Sequence, residues 1–257
     1  MLETGSLLIL CSLCPHRYGV PAHAAEQFEQ TCLTQVFPPA RRQRHDLLLT
    51  KTTMFSPAYL VKACVPVYRG VQHPGEFMIT FPRAFHAGFS HGFSCAESVN
   101  FALPDWLPMG ALSSKMYREL SHMPVIPHDQ LLFILARQVL SGHRADTIAM
   151  LQPQLSMLLA DESRLRALHR EAGYHFAPVA SSEEDRSLYC ARCRHACYAS
   201  YVRCACDEKR GFCSCLRHCA EVACDKCKKV TVYERVSLAD METMLAAVRQ
   251  AGVCLPF

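Results

Sequence analysis

Ten of the 16 cysteines in this chain lie between residues 190 and 227, and this density constrains the fold more than any other feature of the sequence. A segment so rich in cysteine folds around disulfides or around metal ions. Disulfides would require a secreted protein, but the apolar stretch at residues 7–13 is a poor signal peptide. It follows Glu3, it has no basic region before it, and no small-residue cleavage site follows it. It is also too short to span a membrane. We therefore expect a reducing intracellular environment and thiolate ligands.

The spacing of these cysteines indicates zinc. Four close pairs follow the pattern C-x2-C, C-x-C, C-x2-H and C-x2-C, and the eight predicted ligands are Cys190, Cys193, Cys204, Cys206, Cys215, His218, Cys224 and Cys227. Zinc takes four nitrogen or sulfur ligands in tetrahedral geometry, so eight ligands account for two ions. A short module with few large apolar residues needs metal binding to supply its folding free energy, so we expect a structural role. Cys213 remains an alternative to Cys215, and Cys197 and Cys219 are interpreted as spare thiols.

The first half of the chain carries the pattern of a β-rich domain. Residues 1–56 are mixed, with a short helix predicted at residues 24–28. Residues 57–127 are predicted to form mostly strands and turns. VPVYRGVQ and EFMITF flank a turn at residues 73–75, FHAGFSHGFS suits tight turns, and ESVNFAL is a further strand. This succession favours a β-sandwich or barrel.

The second half is predicted to be helical around the cysteine module. Apolar residues recur at helical spacing over residues 128–173, with His128 and Asp129 as a plausible start, and Pro153 is expected to break or kink the run. Residues 181–187 form a polar linker. After the module, SLADMETMLAAVRQ predicts an amphipathic helix with Ser237 at its N-cap. The net charge of +4 is too small to indicate nucleic-acid binding.

Several of these segments resemble a known family. Residues 75–110, GEFMITFPRAFHAGFSHGFSCAESVNFALPDWLPMG, resemble the second half of a JmjC domain, as do HRYGVPAHAAEQFE at residues 16–29 and VPVYR at residues 65–69. The cysteine pattern resembles a C5HC2-type zinc finger. The combination resembles the JARID class of histone lysine demethylases. It implies a mixed α+β fold, with a partial double-stranded β-helix (JmjC, cupin-like), a helical segment and then a small zinc-binding module.

The resemblance also implies a division into domains. Its parts are an unrelated N-terminus at residues 1–15, the C-terminal part of a JmjC domain at 16–127, a helical linker domain at 128–180, a C5HC2-type zinc finger at 188–235 and a C-terminal helix at 236–257.

The resemblance implies site residues in the JmjC part. The family holds Fe(II) with two histidines and one carboxylate, which leaves positions open for 2-oxoglutarate and oxygen. The distal iron histidine corresponds to His86, although His91 competes with it on bare sequence. Ser98 and Asn100 are implied to lie near the co-substrate or the substrate methyl-lysine. Two residues apart on one strand, they share a face.

The chain departs from the family just before the YGVP segment. The family has an H-x-D/E pair there and a lysine that binds 2-oxoglutarate. No such pair lies upstream of Tyr18, and Pro15 stands at the lysine position. We therefore expect a chain truncated within the JmjC domain, with no complete catalytic set and no activity by itself.

Two functions from different classes remain. The first is a histone lysine demethylase of the Fe(II)/2-oxoglutarate dioxygenase class, with histone H3 lysine 4 as the family expectation. It implies a nuclear location, chromatin and other nuclear proteins as partners, and no membrane partner. The second is a non-catalytic nuclear protein that binds zinc and holds partners. A secreted disulfide-rich protein would be excluded by a count of free thiols.

Overall fold

The computed structural model describes residues 5–10, 16–37, 47–49, 54–142, 147–180, 188–204, 212–221 and 230–253. The chain divides into two compact units, residues 1–109 and 110–257. Within the described residues, no helix is both long enough and apolar enough to cross a membrane.

The first unit contains two antiparallel sheets of three strands each. The strands are β1 (Gly5–Leu10), β2 (His16–Val20), β3 (Tyr68–Val71), β4 (Phe77–Thr80), β5 (Phe85–Phe89) and β6 (Ala96–Phe101). One sheet has the order β4-β1-β6 and the other β3-β2-β5. These antiparallel sheets confirm the cupin-like JmjC fold expected from the sequence. Strand β1 lies at the centre of its sheet, although residues 1–15 were expected to be unrelated to the domain.

The segment FHAGF forms strand β5, so its prediction as tight turns was wrong. Two small residues, Ala87 and Gly88, favoured a turn on local grounds. The strand is decided by pairing over a long sequence distance, since residues 85–89 lie opposite residues 16–20 of β2. Phe85 is buried at one end of the strand and packs against Phe28, with ring centroids 4.2 Å apart.

The core of the first unit lies where a short helix covers the β3-β2-β5 sheet. This helix, α1 (Ala25–Thr31), confirms the predicted helix and continues into a π-helical turn at Cys32–Val36. A second short helix, α2, spans Ala58–Lys62, and single 3-10 turns form at Ala22–Ala24 and Leu47–Leu49. The buried residues that pack together include Val20, Ala25, Phe28, Cys32, Phe37, Leu60, Val65 and Phe85.

Three helices follow the last strand of the first unit. A 3-10 turn at Pro104–Trp106 leads into α3 (Leu107–Glu119), so these residues are helical and not part of the predicted run of strands and turns. LPMGALSSKMYRE has no β-branched residue, and proline near a helix start is well tolerated. Helix α4 (His128–Leu140) begins at the predicted residue.

Helix α5 (Ile148–Glu171) runs through Pro153, so the predicted break does not occur. The proline lies in the second turn, where it removes one backbone hydrogen bond. Leu151 and Leu155 on either side of it are fully buried, and their packing stabilises the helix across the proline.

The remainder of the second unit is a mixed sheet and a final helix. Strands β7 (His175–Pro178), β8 (Ser200–Cys204) and β9 (Val230–Glu234) have the order β7-β9-β8, with β7 parallel and β8 antiparallel to β9. Helix α6 spans Leu238–Val253. The Ser237 hydroxyl accepts a hydrogen bond from the backbone N–H of Asp240 at 3.0 Å, which confirms the predicted N-cap.

Candidate metal centre and cavity

Four of the predicted zinc ligands come together in the second unit. One ligand atom from each of Cys190, Cys193, Cys215 and His218 lies within 4.8 Å of the other three. Two tight turns bring them there. In the first, the backbone N–H of Arg194 donates to the carbonyl of Cys190, and in the second that of His218 donates to the carbonyl of Cys215, both at 2.9 Å. The three cysteines are buried, and the histidine is half-buried.

The distances between these atoms fit a tetrahedral zinc ion. Sulfur and nitrogen ligands at about 2.3 and 2.0–2.1 Å from zinc would lie about 3.8 Å apart for two sulfurs and about 3.5 Å for sulfur and nitrogen. The Sγ atoms of Cys193 and Cys215 are 3.8 Å apart. The Nδ1 atom of His218 lies 3.7 Å from Sγ of Cys190 and 3.2 Å from Sγ of Cys215. A Cys3His donor set in this arrangement fits a structural zinc site.

The other predicted ligands lie apart from this group or outside the described residues. Cys204 is buried in β8 and is not a member of the four-residue group. Cys206, Cys224 and Cys227 are not among the residues that the structure describes. The alternative ligand Cys213 is also outside the group, and its thiol donates to the carbonyl oxygen of Tyr189 at 3.4 Å. The geometry therefore favours Cys215 over Cys213.

A contact between a histidine and a carboxylate, which sequence reasoning missed, lies at the turn between Cys193 and Cys197. His195 Nε2 lies 3.0 Å from Oδ2 of Asp129, the second residue of α4. Burial opposes the charge of Asp129, but the charge and hydrogen bond of His195, with those of His128, outweigh it and hold the pKa of Asp129 below its ordinary value. The sequence marked Asp129 only as a helix start, because its partner lies 66 residues away.

The first unit contains a cavity of about 590 Å³ that all three residues implied for the JmjC site line. His86 belongs to β5, where it lies opposite Gly19 of β2. Ser98 and Asn100 project from one face of β6, as their spacing predicted. Thr80 of β4 also lines the cavity. Thr80 and Asn100 are both paired with Ser6 of the central strand β1, so they lie in the same row across the sheet.

The described residues do not assemble an iron site. Among those that line the cavity, His86 is the one histidine, and aspartate and glutamate are absent. The competing histidine, His91, does not line the cavity. Its Nε2 atom lies 2.5 Å from Nδ1 of His16. A facial triad needs two histidines and a carboxylate, so the donor set of the described residues does not fit Fe(II).

The cavity also contains one charged residue that the sequence patterns did not single out. Arg17 of β2 lines it and is the single charged side chain among the described lining residues. Alternation along β2 could have indicated that Arg17 and Gly19 share a face. Local sequence gives no sign that this face borders a cavity, because the opposite wall comes from β4 and β6.

Comparisons with known proteins agree with this architecture. The family described as JmjC domain, hydroxylase, matches residues 10–101, and the family described as C5HC2 zinc finger matches residues 190–244. Rice lysine-specific demethylase JMJ706 is 34% identical over 93% of this chain and 29% of its own length. Chicken lysine-specific demethylase 5B is 34% identical over 90% of this chain and 15% of its own length. Arabidopsis lysine-specific demethylase JMJ17 is 32% identical over 92% of this chain and 20% of its own length.

The chain therefore spans less than a third of the length of these curated relatives. Both domains implied by the resemblance are matched, in the order expected from the sequence. The chain carries a JmjC domain followed by a C5HC2 zinc finger and is a relative of the lysine-specific demethylases, in agreement with a JARID-type JmjC protein.

Proposed function

We propose that this chain serves in a histone lysine demethylase of the Fe(II)/2-oxoglutarate dioxygenase class. Histone H3, with lysine 4 as the family expectation, is the proposed substrate, and chromatin and other nuclear proteins are the proposed partners. The observation that carries the proposal is the cavity where His86, Ser98 and Asn100 border one space. The names of the relatives support lysine demethylation as the reaction.

We further propose that these 257 residues do not catalyse demethylation alone. The described lining residues offer Fe(II) one ligand, His86, where the class needs three. Loss of a group that merely supports a ligand already costs about 10–100-fold in affinity or activity, so two missing ligands should abolish the site.

The test of inactivity is an assay of formaldehyde release, with mass spectrometry of dimethylated and trimethylated histone H3 peptides. Fe(II), ascorbate and 2-oxoglutarate are supplied in excess. The expected result is no turnover and no iron retained after gel filtration. Turnover that disappears in His86→Ala would contradict the proposal, because it would require a complete iron site.

The histone partner is tested separately by fluorescence polarisation with labelled H3 tail peptides. We expect the chain to bind the H3 tail peptide. Asn100→Ala should weaken this binding, since Asn100 borders the cavity. The matched control is Glu97→Gln on the same strand. Glu97 is not among the lining residues, and its distance of three positions from Asn100 puts it on the opposite face. Equal affinity in Asn100→Ala and the unsubstituted chain would count against a histone substrate at this cavity.

The zinc centre supports a second role, that of a non-catalytic nuclear protein that binds zinc and holds partners. We propose that Cys190, Cys193, Cys215 and His218 bind one zinc ion and that Cys204, Cys206, Cys224 and Cys227 bind another. The geometry of the first four supports this role. Histone binding insensitive to Asn100→Ala, together with a full zinc content, would favour it over the demethylase role.

A nuclear location is common to both roles. A fluorescent fusion of the chain is expected to accumulate in the nucleus. Retention in the cytoplasm while nuclear export is blocked would contradict the proposal.

A further inference from the structure

Four arginines of the second unit lie in or against the loop at residues 194–198, which follows the first zinc-binding turn. Arg194 belongs to the turn itself and is exposed. Arg118 of α3 and Arg137 of α4 reach the loop from two helices, and Arg235 reaches it from the end of β9. These four positions are far apart in the sequence, so only the fold brings their charges together.

Two of these arginines are held by Tyr198. NH1 of Arg137 donates to the phenolic oxygen of Tyr198 at 3.1 Å. The guanidinium carbon of Arg235 lies 4.9 Å from the centre of the Tyr198 ring, and NH1 of Arg235 donates to the backbone carbonyl of Tyr198 at 3.1 Å. The fully buried Phe133 of α4 packs against the same ring, with centroids 5.5 Å apart. Tyr198 therefore fixes both guanidinium groups to the core of the second unit.

The third contact is at the start of the loop. NH2 of Arg118 lies 3.3 Å from Nε2 of His195, and that nitrogen also lies 3.0 Å from Oδ2 of Asp129. Among the described residues, Asp129 is the one carboxylate that forms an ion pair or a hydrogen bond with residues 194–198. It is mostly buried, with a side chain 17% exposed, and its contacts are with histidines.

The positive charge of the loop is therefore in excess. Within the described part of the chain, Arg118, Arg137 and Arg194 form no ion pair with a carboxylate. This sets them apart from other arginines of the second unit. Those that pair with a carboxylate include Arg164, Arg166, Arg170 and Arg217.

We propose that this arginine face, formed by Arg118, Arg137, Arg194 and Arg235, docks an acidic peptide segment of a partner protein. The planar fork of arginine matches the two oxygens of a carboxylate, and complementary charge across an interface selects the partner. The inference rests on the proposed role in which this zinc-binding chain holds partners, and it names the class of partner. It requires neither iron nor the cavity of the first unit.

A nucleic acid is the other polyanion that arginines bind, and the arginine face suits it less. Single strands are bound by aromatic rings on which the bases stack, but the ring of Tyr198 is already packed against Phe133 and Arg235. Proteins bound to a duplex commonly make about 6–10 phosphate contacts along it, more than four arginines around one loop supply. A short acidic peptide is therefore the better match.

The experiment is fluorescence polarisation of a labelled peptide of six glutamates, titrated with the full, zinc-loaded chain. We expect saturable binding with Kd below about 100 μM at low salt, and weaker binding as salt screens the charges. Arg137→Gln and Arg194→Gln should each weaken binding by about threefold, and the double variant by about tenfold. Arg137→Lys, which keeps the charge but not the fork, should give an intermediate affinity. Arg164→Gln is the matched control, because it changes the net charge equally but removes an arginine already paired with Asp161.

The outcomes are separable from a loss of fold. Arg137 and Arg194 are both exposed, so neither variant should unfold, and the zinc content of each sample checks the turn beside Arg194. The proposal is overturned by an absence of saturable binding, by equal losses in Arg137→Gln and Arg164→Gln, or by a glutamine peptide of the same length that binds as well. Tighter binding of a short DNA duplex, lost in the same variants, would overturn the choice of an acidic peptide. Zinc content of the unsubstituted chain tests the zinc-binding role separately.

Discussion

The buried guanidinium of Arg166 on α5 donates a hydrogen bond to the carboxylate of Glu234 on β9, with NH1 and Oε1 2.9 Å apart. The same guanidinium donates from Nε to Glu162 at 2.8 Å and from NH1 to the backbone carbonyl of Val236 at 2.9 Å. Glu162 in turn accepts from the hydroxyl of Ser200 on β8 at 2.7 Å. One fully buried charge thus joins the long helix to two strands of the sheet beside the metal centre.

Arg166→Met should destabilise the second unit strongly. It removes the buried partner of the Glu162 carboxylate, while Glu234 keeps Arg170 at 3.1 Å. Loss of one partner of a buried ion pair typically costs about 3–5 kcal/mol. Arg164→Met is the matched control. Arg164 pairs with Asp161 on the same helix but is 55% exposed, so its loss should cost about 0–1 kcal/mol. Urea unfolding of both variants measures the difference, and similar losses would contradict a special role for Arg166.

Zinc content should distinguish Cys215 from Cys213. We expect about two ions per chain by elemental analysis, from the eight predicted ligands. Cys215→Ser should remove one ion and unfold the module locally, because a structural zinc site supplies folding free energy. Cys213→Ser, two residues away, should keep both ions, since that thiol lies outside the four-residue group. No zinc in a chain with fully reduced thiols would contradict the metal centre itself.

Gly88→Ala should weaken the pairing of β2 with β5. The added Cβ would lie 2.6 Å from the backbone oxygen of His16 as well as 2.9 Å from Cδ of Arg17. Overpacking of this kind typically costs about 1–3 kcal/mol. Gly70→Ala tests the other neighbour of Arg17, where an added Cβ meets nothing within 4 Å, and we expect little change. Thermal unfolding compares the two variants, and an equal tolerance of both would contradict the close approach at Gly88.

Cys32 should resist alkylation in the folded protein. Burial raises the pKa of its thiol to about 12, with a smaller contribution from the charge of Glu29. The neutral thiol is therefore favoured in the folded state, and the stabilisation that this provides is present below the ordinary thiol pKa and lost as pH rises toward 12. Iodoacetamide at pH 8.5 should modify the exposed Cys64 and Cys95 before Cys32, as peptide mass mapping would show. Early modification of Cys32 would contradict its burial.

Features that depend on neighbouring residues were predictable from the sequence. The start of α4 at His128 follows from apolar periodicity, and the N-cap at Ser237 follows from a local hydrogen bond. The close pairs of zinc ligands could be predicted because a tight turn brings two nearby residues within reach of one ion. Residues 107–119 were mispredicted although their helix is also local, because the strand pattern of the preceding residues was extended too far.

Features that depend on distant residues were decided only in three dimensions. Sequence periodicity by itself determined that Ser98 and Asn100 share a strand face, and the family motif singled out His86. That these three residues border one cavity with Arg17 depends on the pairing of β5 with β2 and of β6 with β1. The paired residues of these strands lie 65 to 96 positions apart in the chain, and no local pattern encodes that choice of partner. The charge of the cavity could therefore be recognised only once the tertiary structure had placed Arg17 in its wall.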